Sequence, residues 1–281
     1  MPRVICYLEF NSPYSFLAAV RLYQLHNKSP QDVHQPQRVF NYPSDDVCHP
    51  VFSKVEIIPR PIEFGIVLKN SGQNTIPITP GSGRAIYMWK DLNSSLERMG
   101  IVSKEIRPDA SWFPQKVNIP NRIFYLLHNK DLLISSSEEL SDLTKTNVLI
   151  DQTWRETKNE FSGSTATDAL TSEYIFRIFS KIFIENKKVS DETVLKEVLD
   201  PLFKKHKVDK FLDSSTIIEM AKLTKSAKQS VFYSTNEAIE KKLFGVPTFV
   251  TEDEHLFWGN DHMIDAAVCE YEYNVKFVSK I

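Results

Sequence analysis

The apolar positions near the start of the chain predict a buried strand that leads into a helix. Residues 3–10 form an almost continuous apolar run, which is typical of a strand covered on both faces of a sheet. From Pro13 to about Leu25 the apolar side chains recur at the helical period, and Ser12 stands directly before them. Serine is a preferred N-cap and proline a preferred first helical residue, so we expect a helix that begins here with Ser12 as its cap.

The middle of the chain predicts one more strand and then a long helical block. Residues 28–53 are polar and rich in proline, which indicates a surface loop, and residues 55–58 alternate as a strand does. From about Arg84 to Lys242 the period of the apolar positions is mostly helical. The segments that show this period are 85–99, 120–128, 137–160, 165–186, 191–205 and 214–241.

The period changes again near the end of the chain. Residues 248–250 and 255–258 predict two short strands of a hairpin. A last helix follows through about residue 271, with Asn260 or Asp261 as its cap. Strand-forming segments therefore stand on both sides of the helical block.

This order predicts an α/β fold in which one sheet domain is interrupted by helices, and not two domains in tandem. We expect a discontinuous sheet domain at residues 1–84 and 243–281, and an all-helical insertion domain at residues 85–242.

Composition narrows the class of protein without naming an activity. The 281 residues are 42% hydrophobic and 25% charged, with a formal net charge of -2, so no overall field favours nucleic acid or an acidic membrane. No apolar run approaches the roughly 20 residues of a membrane helix, and no secretory segment precedes the first strand. We expect a protein that is intracellular and not secreted; the sequence leaves open whether it is mitochondrial, peroxisomal or cytoplasmic.

The cysteines and histidines indicate neither a redox pair nor a metal site. Cys6, Cys48 and Cys269 are odd in number and far apart, which argues against a disulfide framework, a dithiol motif and a cysteine zinc site. His34 and His49 lie in the polar loop without a partner at helical spacing. The sequence therefore predicts no metal.

Ser12 is the residue with the clearest chemical potential. A serine at a helix N-terminus places a hydroxyl beside backbone N–H groups and the positive end of the helix dipole, where an anion is stabilised. A thiolate bound there would have its pKa lowered from roughly 8.5 to about 6–7. The alternative is a serine that only caps the helix.

Three other places could hold a ligand. Val246-Pro247 lies at a strand start and is compatible with a cis peptide bond, which would leave backbone groups for an extended ligand. Asn260 and Asp261 could bind the ammonium and carboxylate of an amino-acid end group. In the loop before the helical block, Asn74 or Arg84 could hold a carboxylate. Each also has an ordinary structural explanation as a strand entry, a helix cap or a solvated loop.

Taken together, these segments resemble the kappa-class glutathione transferases and the related 2-hydroxychromene-2-carboxylate isomerases, which share the DsbA-like branch of the thioredoxin fold. The resemblance lies in segments that occur in the same order: Ser12-Pro13-Tyr14-Ser15-Phe16-Leu17-Ala18, Leu68 to Asn74, Arg84-Ala85-Ile86-Tyr87-Met88, Val189-Ser190-Asp191 with Val194-Leu195, and Phe244 to Phe249 with Phe257-Trp258-Gly259-Asn260-Asp261.

The resemblance implies a thioredoxin-like sheet with a helical insertion, and a glutathione site as its functional centre. Ser12 would contact the glutathione sulfur, at the place of the first cysteine of a dithiol. Asn74 and Arg84 would hold the glycyl carboxylate, although the family usually has lysine at the latter place. Val246 would pair its backbone with the cysteinyl part before a cis Pro247. The remaining end, the γ-glutamyl group, would lie against Asn260 and Asp261.

From this resemblance we expect a glutathione transferase of the kappa type, with glutathione as co-substrate, a small electrophile as second substrate, and a homodimer as the assembly. The alternatives are a glutathione-dependent isomerase of the 2-hydroxychromene-2-carboxylate type and a non-catalytic thioredoxin-like binding module. A disulfide oxidoreductase is disfavoured, because Ser12 and Ser15 stand at both dithiol positions. The long 28–53 loop and His262, where arginine is frequent, depart from the family and leave the second substrate open.

Overall fold

The computed structural model describes residues 1–26, 47, 49–72, 81–101, 105–145 and 164–277. The chain divides into two compact units, one formed by Met1–Arg107 with Thr235–Ile281 and the other by Pro108–Ser234. The first unit thus combines both ends of the chain, and the second is its middle. The helix after the 73–80 segment is grouped with the sheet, whereas the sequence placed it in the insertion; the domain boundaries at 84 and 243 stay a prediction.

A four-stranded mixed sheet organises the first unit. Its strands are β1 (Arg3–Leu8), β2 (Glu56–Pro61), β3 (Thr248–Val250) and β4 (Leu256–Trp258). Their order is β2-β1-β3-β4, with β1 parallel to β2, antiparallel to β3, and β3 antiparallel to β4. The apolar run of the sequence therefore forms an inner strand with neighbours on both sides, and the predicted hairpin is confirmed.

Helices account for most of the remaining described chain. In order they are α1 (Pro13–His26), α2 (Phe64–Asn70), α3 (Gly83–Arg98), α4 (Asn118–His128), α5 (Lys130–Thr144), α6 (Ser164–Phe183), α7 (Glu192–Lys205), α8 (Ser214–Leu223), α9 (Lys225–Glu240) and α10 (Met263–Phe277). In the part of the chain that the structure describes, no helix is both long and apolar enough to cross a membrane.

Apolar side chains from both ends of the chain form the core of the first unit. Tyr7 and Val250 from the sheet join side chains from α2, from the end of α9 and from the segment before β3. The fully described members of this cluster are Tyr7, Ile62, Val67, Ala238, Leu243, Val246 and Val250. Helix α10 packs against β1, β3 and β4, and α1 packs against α3. This packing fixes the ends of β1 and β3 relative to each other.

The second unit has a helical core built by α4 to α8. Its fully buried aromatic side chains include Phe124, Tyr174 and Phe203. The hydroxyl of Tyr174 donates a hydrogen bond to the carbonyl of Pro120 at 2.9 Å, so its polar group is satisfied inside the core.

Two helix predictions differ from the structure. The segment 214–241 forms two helices, because Thr224 leaves the helical conformation with a ψ of 143° while it hydrogen-bonds the carbonyl of Met220. The helix predicted at 137–160 begins earlier, at Lys130, where Asn129 caps it by accepting the Leu132 N–H at 3.0 Å. That helix ends at Thr144, and residues 146–163 lie outside the described residues.

Candidate functional site

Ser12 lies where the first strand passes into the first helix, and it has two hydrogen-bond partners. Its hydroxyl accepts the N–H of Ser15 at 3.2 Å, which confirms the predicted cap, and donates to the carbonyl of Val246 at 3.3 Å. The two residues are 234 positions apart in sequence. They meet because β1 and β3 are adjacent, with Tyr7 paired to Thr248.

The segment before β3 is held in place from two sides. The Val246–Pro247 peptide bond is cis, as the resemblance implies. The carbonyl of Pro247 accepts the N–H of Gly259 at 3.0 Å, and the hydroxyl of Thr248 donates to the carbonyl of Gly245 at 2.7 Å. The predicted ligand-binding backbone at Val246 is therefore fixed beside Ser12.

An aromatic pair borders this segment. Trp258 lies against Gly245 so closely that a Cβ on the glycine would be 2.1 Å from the indole Nε1. Phe244 meets the same indole edge to face, with 5.2 Å between ring centroids. Phe244 is 49% and Trp258 54% exposed, so the pair forms an apolar surface next to Val246. The sequence prediction did not include this pair, although Phe244 and Trp258 flank the two predicted segments.

The sequence prediction missed the carboxyl group of Glu9, three residues before Ser12. Glu9 accepts the backbone N–H of Asn11 at 3.0 Å and its side-chain amide at 2.9 Å, while its own N–H donates to the Ser15 hydroxyl at 3.3 Å. Burial raises the pKa of Glu9 from 4.5 to about 7, and the nearby charge of Glu63 adds to this rise against the hydrogen bonds from Asn11. A proton-binding group is thus placed three residues before the candidate catalytic serine.

The turn after β4 carries the predicted amino-acid binding residues. Arg21 of α1 donates to the backbone carbonyl of Asn260 at 3.0 Å. The Oδ1 atom of Asn260 is enclosed and has no hydrogen-bond partner among the described residues. Asp261 is exposed. Gly259 has a φ of 114°, and a Cβ added to it would lie 2.5 Å from the Asp261 Oδ1.

The predicted cap of the last helix needs correction. Asn260 and Asp261 lie inside a 3-10 turn, Asn260–His262, and α10 begins only at Met263. The residue before the turn is Gly259, which has a φ of 114° and no side chain to cap it.

The other two predicted binding residues, Arg84 and Asn74, are not placed beside Ser12 by any contact among the described residues. Arg84 is exposed in the first turn of α3. It lies on the same helix face as Tyr87 and Asp91, which follow it by three and seven residues. Asp91 in turn contacts Tyr14 at the start of α1. Burial of Tyr14 and the charge of Asp91 raise the pKa of the Tyr14 hydroxyl. Asn74 lies outside the described residues. The structure therefore brings together Ser12, the 246–247 segment and the 259–261 turn, while the ligand-binding roles of all these residues stay predictions.

Comparisons with known proteins agree on the fold. Residues 159–267 match the family model of the DsbA-like thioredoxin domain. Among solved structures, a 2-hydroxychromene-2-carboxylate isomerase matches with a TM-score of 0.58 and 19% identity over 98% of both chains. A probable DsbA oxidoreductase from Streptomyces coelicolor matches with a TM-score of 0.50 and 12% identity over 100% of this chain and 92% of its own. No curated protein sequence matches.

These similarities establish the fold class of the chain. The chain has a DsbA-like thioredoxin fold, as the resemblance of its motifs implied. Serines stand at positions 12 and 15 of this chain, and the described cysteines, Cys6 and Cys269, lie elsewhere in sequence.

Proposed function

We propose that this protein is a glutathione-dependent enzyme that transfers glutathione to a small electrophile, with Ser12 stabilising the thiolate. The observation that carries the proposal is the contact between the Ser12 hydroxyl and the Val246 carbonyl beside Pro247. This contact places an alcohol donor next to the backbone of a strand entry, which is the arrangement that an extended tripeptide with a thiol requires.

The hydrogen bonds of Ser12 suit an exchange of partners. Its bond to the Val246 carbonyl is long, at 3.3 Å, and therefore weak. When the N–H of a ligand cysteine donates to the Val246 carbonyl, the Ser12 hydrogen becomes available for the ligand sulfur. The Ser15 N–H continues to donate to the Ser12 oxygen and keeps the side chain in position.

The predicted roles of the other residues fit the two ends of glutathione. Asn260 and Asp261 are proposed to bind the γ-glutamyl group, where the exposed Asp261 carboxylate adds negative charge for its ammonium. Arg84 is proposed to hold the glycyl carboxylate, together with Asn74. The apolar surface of Phe244 and Trp258 is proposed to receive the apolar part of the electrophile.

Stabilising the thiolate supplies the nucleophile for either of two reactions. Attack on an electrophilic carbon followed by release of the conjugate is a transfer. Addition followed by bond rotation and release of glutathione is an isomerisation, the alternative that the isomerase fold relative makes worth testing. A panel of electrophiles that includes 2-hydroxychromene-2-carboxylate separates the two by whether glutathione is consumed.

The test of Ser12 is an ultraviolet titration of the thiolate in the binary complex with glutathione. We expect a bound thiol pKa below that of glutathione in solution. Ser12→Ala should raise the bound pKa by about one unit or more, because each lost unit corresponds to ~1.4 kcal/mol of thiolate stabilisation. Ser12→Thr keeps the hydroxyl and should retain most of the effect.

Loss of a helix cap alone costs about 1 kcal/mol of stability and needs its own control. Asn129→Ala removes the cap of α5 without touching the site and should leave the bound thiol pKa unchanged. An unshifted pKa in Ser12→Ala contradicts the proposal. Calorimetry that detects no glutathione binding, together with a stable protein partner, would instead favour the non-catalytic binding module.

A further inference from the structure

The turn of the β3–β4 hairpin brings together three side chains that can bind metals. Asp253 and His255 lie in this turn, and Cys269 lies on α10. One ligand atom of each residue lies within 4.8 Å of the other two. The Asp253 Oδ2 and the His255 Nδ1 are 2.8 Å apart.

We propose that Asp253, His255 and Cys269 form a binding site for a divalent transition metal, with zinc as the best match. A carboxylate oxygen, an imidazole nitrogen and a thiolate are all preferred zinc ligands, and three protein ligands with a water as the fourth are common for this ion. The thiolate and imidazole disfavour magnesium and calcium, which prefer oxygen ligands.

Hydrogen bonds in the turn hold the two hairpin ligands in position. The hydroxyl of Thr251 donates to Asp253 Oδ1 at 2.5 Å, and the N–H of His255 donates to the same hydroxyl at 3.0 Å. The N–H of Glu254 donates to the carbonyl of Thr251 at 3.0 Å. Asp253 Oδ2 is therefore left to face His255, and such supporting contacts increase metal affinity by fixing ligand geometry.

The charges around the site favour a cation. Glu252, Glu254 and Glu270 neighbour the proposed ligands in sequence, and the only ion pair among these carboxylates in the described residues joins Glu254 to Lys241 at 2.8 Å. A bound divalent ion would relieve the repulsion among these like charges.

The proposed site lies at the opposite end of the hairpin from the candidate glutathione site. The turn at 251–255 connects the far ends of β3 and β4, whereas Pro247 and Gly259 lie at their near ends. Glu270 of α10 already accepts the Glu252 N–H at 2.8 Å. A metal ion would add a second link between the turn and α10, and its role would be to fix the hairpin that follows Val246.

Spacing explains why the sequence predicted no metal. The ligands come from a hairpin turn and a later helix, and only the packing of α10 on β3 and β4 brings them together. A search for ligands at regular helical or CxxC spacing cannot detect such a set.

The experiment uses Co²⁺ as a spectroscopic probe on the full chain, stripped of metal by a chelator and kept reduced without added thiol. We expect a sulfur-to-cobalt charge-transfer band that saturates at one equivalent, with release of a proton from the thiol. Zn²⁺ should displace Co²⁺, so that the band disappears, and should raise the melting temperature of the protein. Cys269→Ser should abolish the band, and Asp253→Asn and His255→Ala should weaken binding roughly 10- to 100-fold or more.

A matched control comes from a second histidine–aspartate pair. His262 Nδ1 lies 2.8 Å from Asp265 Oδ2, the same distance as between His255 Nδ1 and Asp253 Oδ2. Among the described residues, however, His262 and Asp265 have no cysteine beside them that could complete a metal site. His262→Ala should leave cobalt binding unchanged. Absence of the band in the wild type, its persistence in Cys269→Ser, or an equal loss in His262→Ala would each overturn the proposal. Circular dichroism of every variant excludes unfolding as the cause, and the conservative Cys269→Ser keeps the test decisive if Asp253→Asn does not fold.

Discussion

Glu9 links the titration of one side chain to the stability of the fold. Its carboxyl group accepts two hydrogen bonds from Asn11 but is partly buried, and its pKa is raised from 4.5 to about 7. Between these two pH values the folded chain holds a proton that the unfolded chain has released. Stability therefore decreases as the pH rises through this window, by roughly 3 kcal/mol.

Glu9→Gln tests this linkage directly. The amide oxygen keeps an acceptor for Asn11 but has no charge to desolvate, so the variant should lose the decrease in stability between pH 4.5 and 7. Above pH 7 it should be more stable than the wild type. Urea unfolding at several pH values measures the effect.

Glu97→Gln makes the same chemical change at an exposed position of α3 and separates the buried carboxyl from a general effect of removing a charge. A Glu9→Gln profile that runs parallel to the wild-type profile contradicts the assigned pKa.

At this scale the sequence predicts residues whose role is local. Ser12 as a helix cap follows from its neighbours along the chain, and the structure confirms it. Glu9 and Cys269 were missed because their environments depend on burial and on contacts between elements distant in sequence.

At the scale of the elements, the position of the hairpin and of the segment before it depends on the close contact between Gly245 and the Trp258 indole. Gly245 has no room for a side chain, because its Cβ would lie within 2.1 Å of the Trp258 indole. The indole cannot stay in place if a methyl group is added. Displacing it would disturb both Phe244, which packs on it, and Val246, which follows the glycine.

Gly245→Ala should therefore destabilise the fold by about 1–3 kcal/mol, the usual cost of overpacking, and weaken glutathione binding. Gly65→Ala is the matched control, since it lies in α2 with nothing within 4 Å of the added Cβ. It should be neutral or stabilising by up to about 1 kcal/mol, because alanine is the better helix former. Chemical unfolding of both variants gives the comparison, and equal effects would show that the indole contact does not decide the outcome.

The strands and most helices could be predicted because their periods are clear. The hairpin and the α1 start agree with the structure. The break at Thr224 could not be predicted, because the apolar period continues across it and only a buried side-chain hydrogen bond to Met220 marks it. The helix at Phe64–Asn70 was also missed, since its glycine and short length give little periodic signal.

At the scale of the whole molecule, a buried carboxylate in the second unit makes the stability of the fold decrease at low pH. Glu173 is 1% exposed and accepts hydrogen bonds from Arg177 at 2.7 Å and His206 at 2.9 Å, with Lys205 at 3.0 Å. Burial alone would raise its pKa, but the bonds from His206, Arg177 and Lys205 hold it at about 2. Its folded pKa is lowered, so this contribution to stability is lost as the pH falls from 4.5 towards 2.

Glu9 and Glu173 change the stability of the fold in opposite directions as the pH changes. One contribution is lost as the pH rises above 4.5 and the other as it falls below that value.

Glu173→Gln should remove the decrease at low pH and lower the free energy of unfolding at neutral pH by roughly 3 kcal/mol, because three basic groups lose their shared charge partner. Glu185→Gln removes an exposed partner of Lys181 in the same unit and should cost less than about 1 kcal/mol. Thermal unfolding from pH 3 to 8 tests both, and similar losses in the two variants would contradict the importance assigned to burial.

The pairing of β1 with β3 also has a consequence for biosynthesis. Ser12 and Val246 are 234 positions apart, so at translation rates of roughly 5–20 residues per second about 10–50 s separate their emergence from the ribosome. During that time the nascent chain presents one edge of an apolar strand without its β3 neighbour, and such edges promote aggregation. We therefore expect β1 to need protection by a chaperone until β3 has been synthesised.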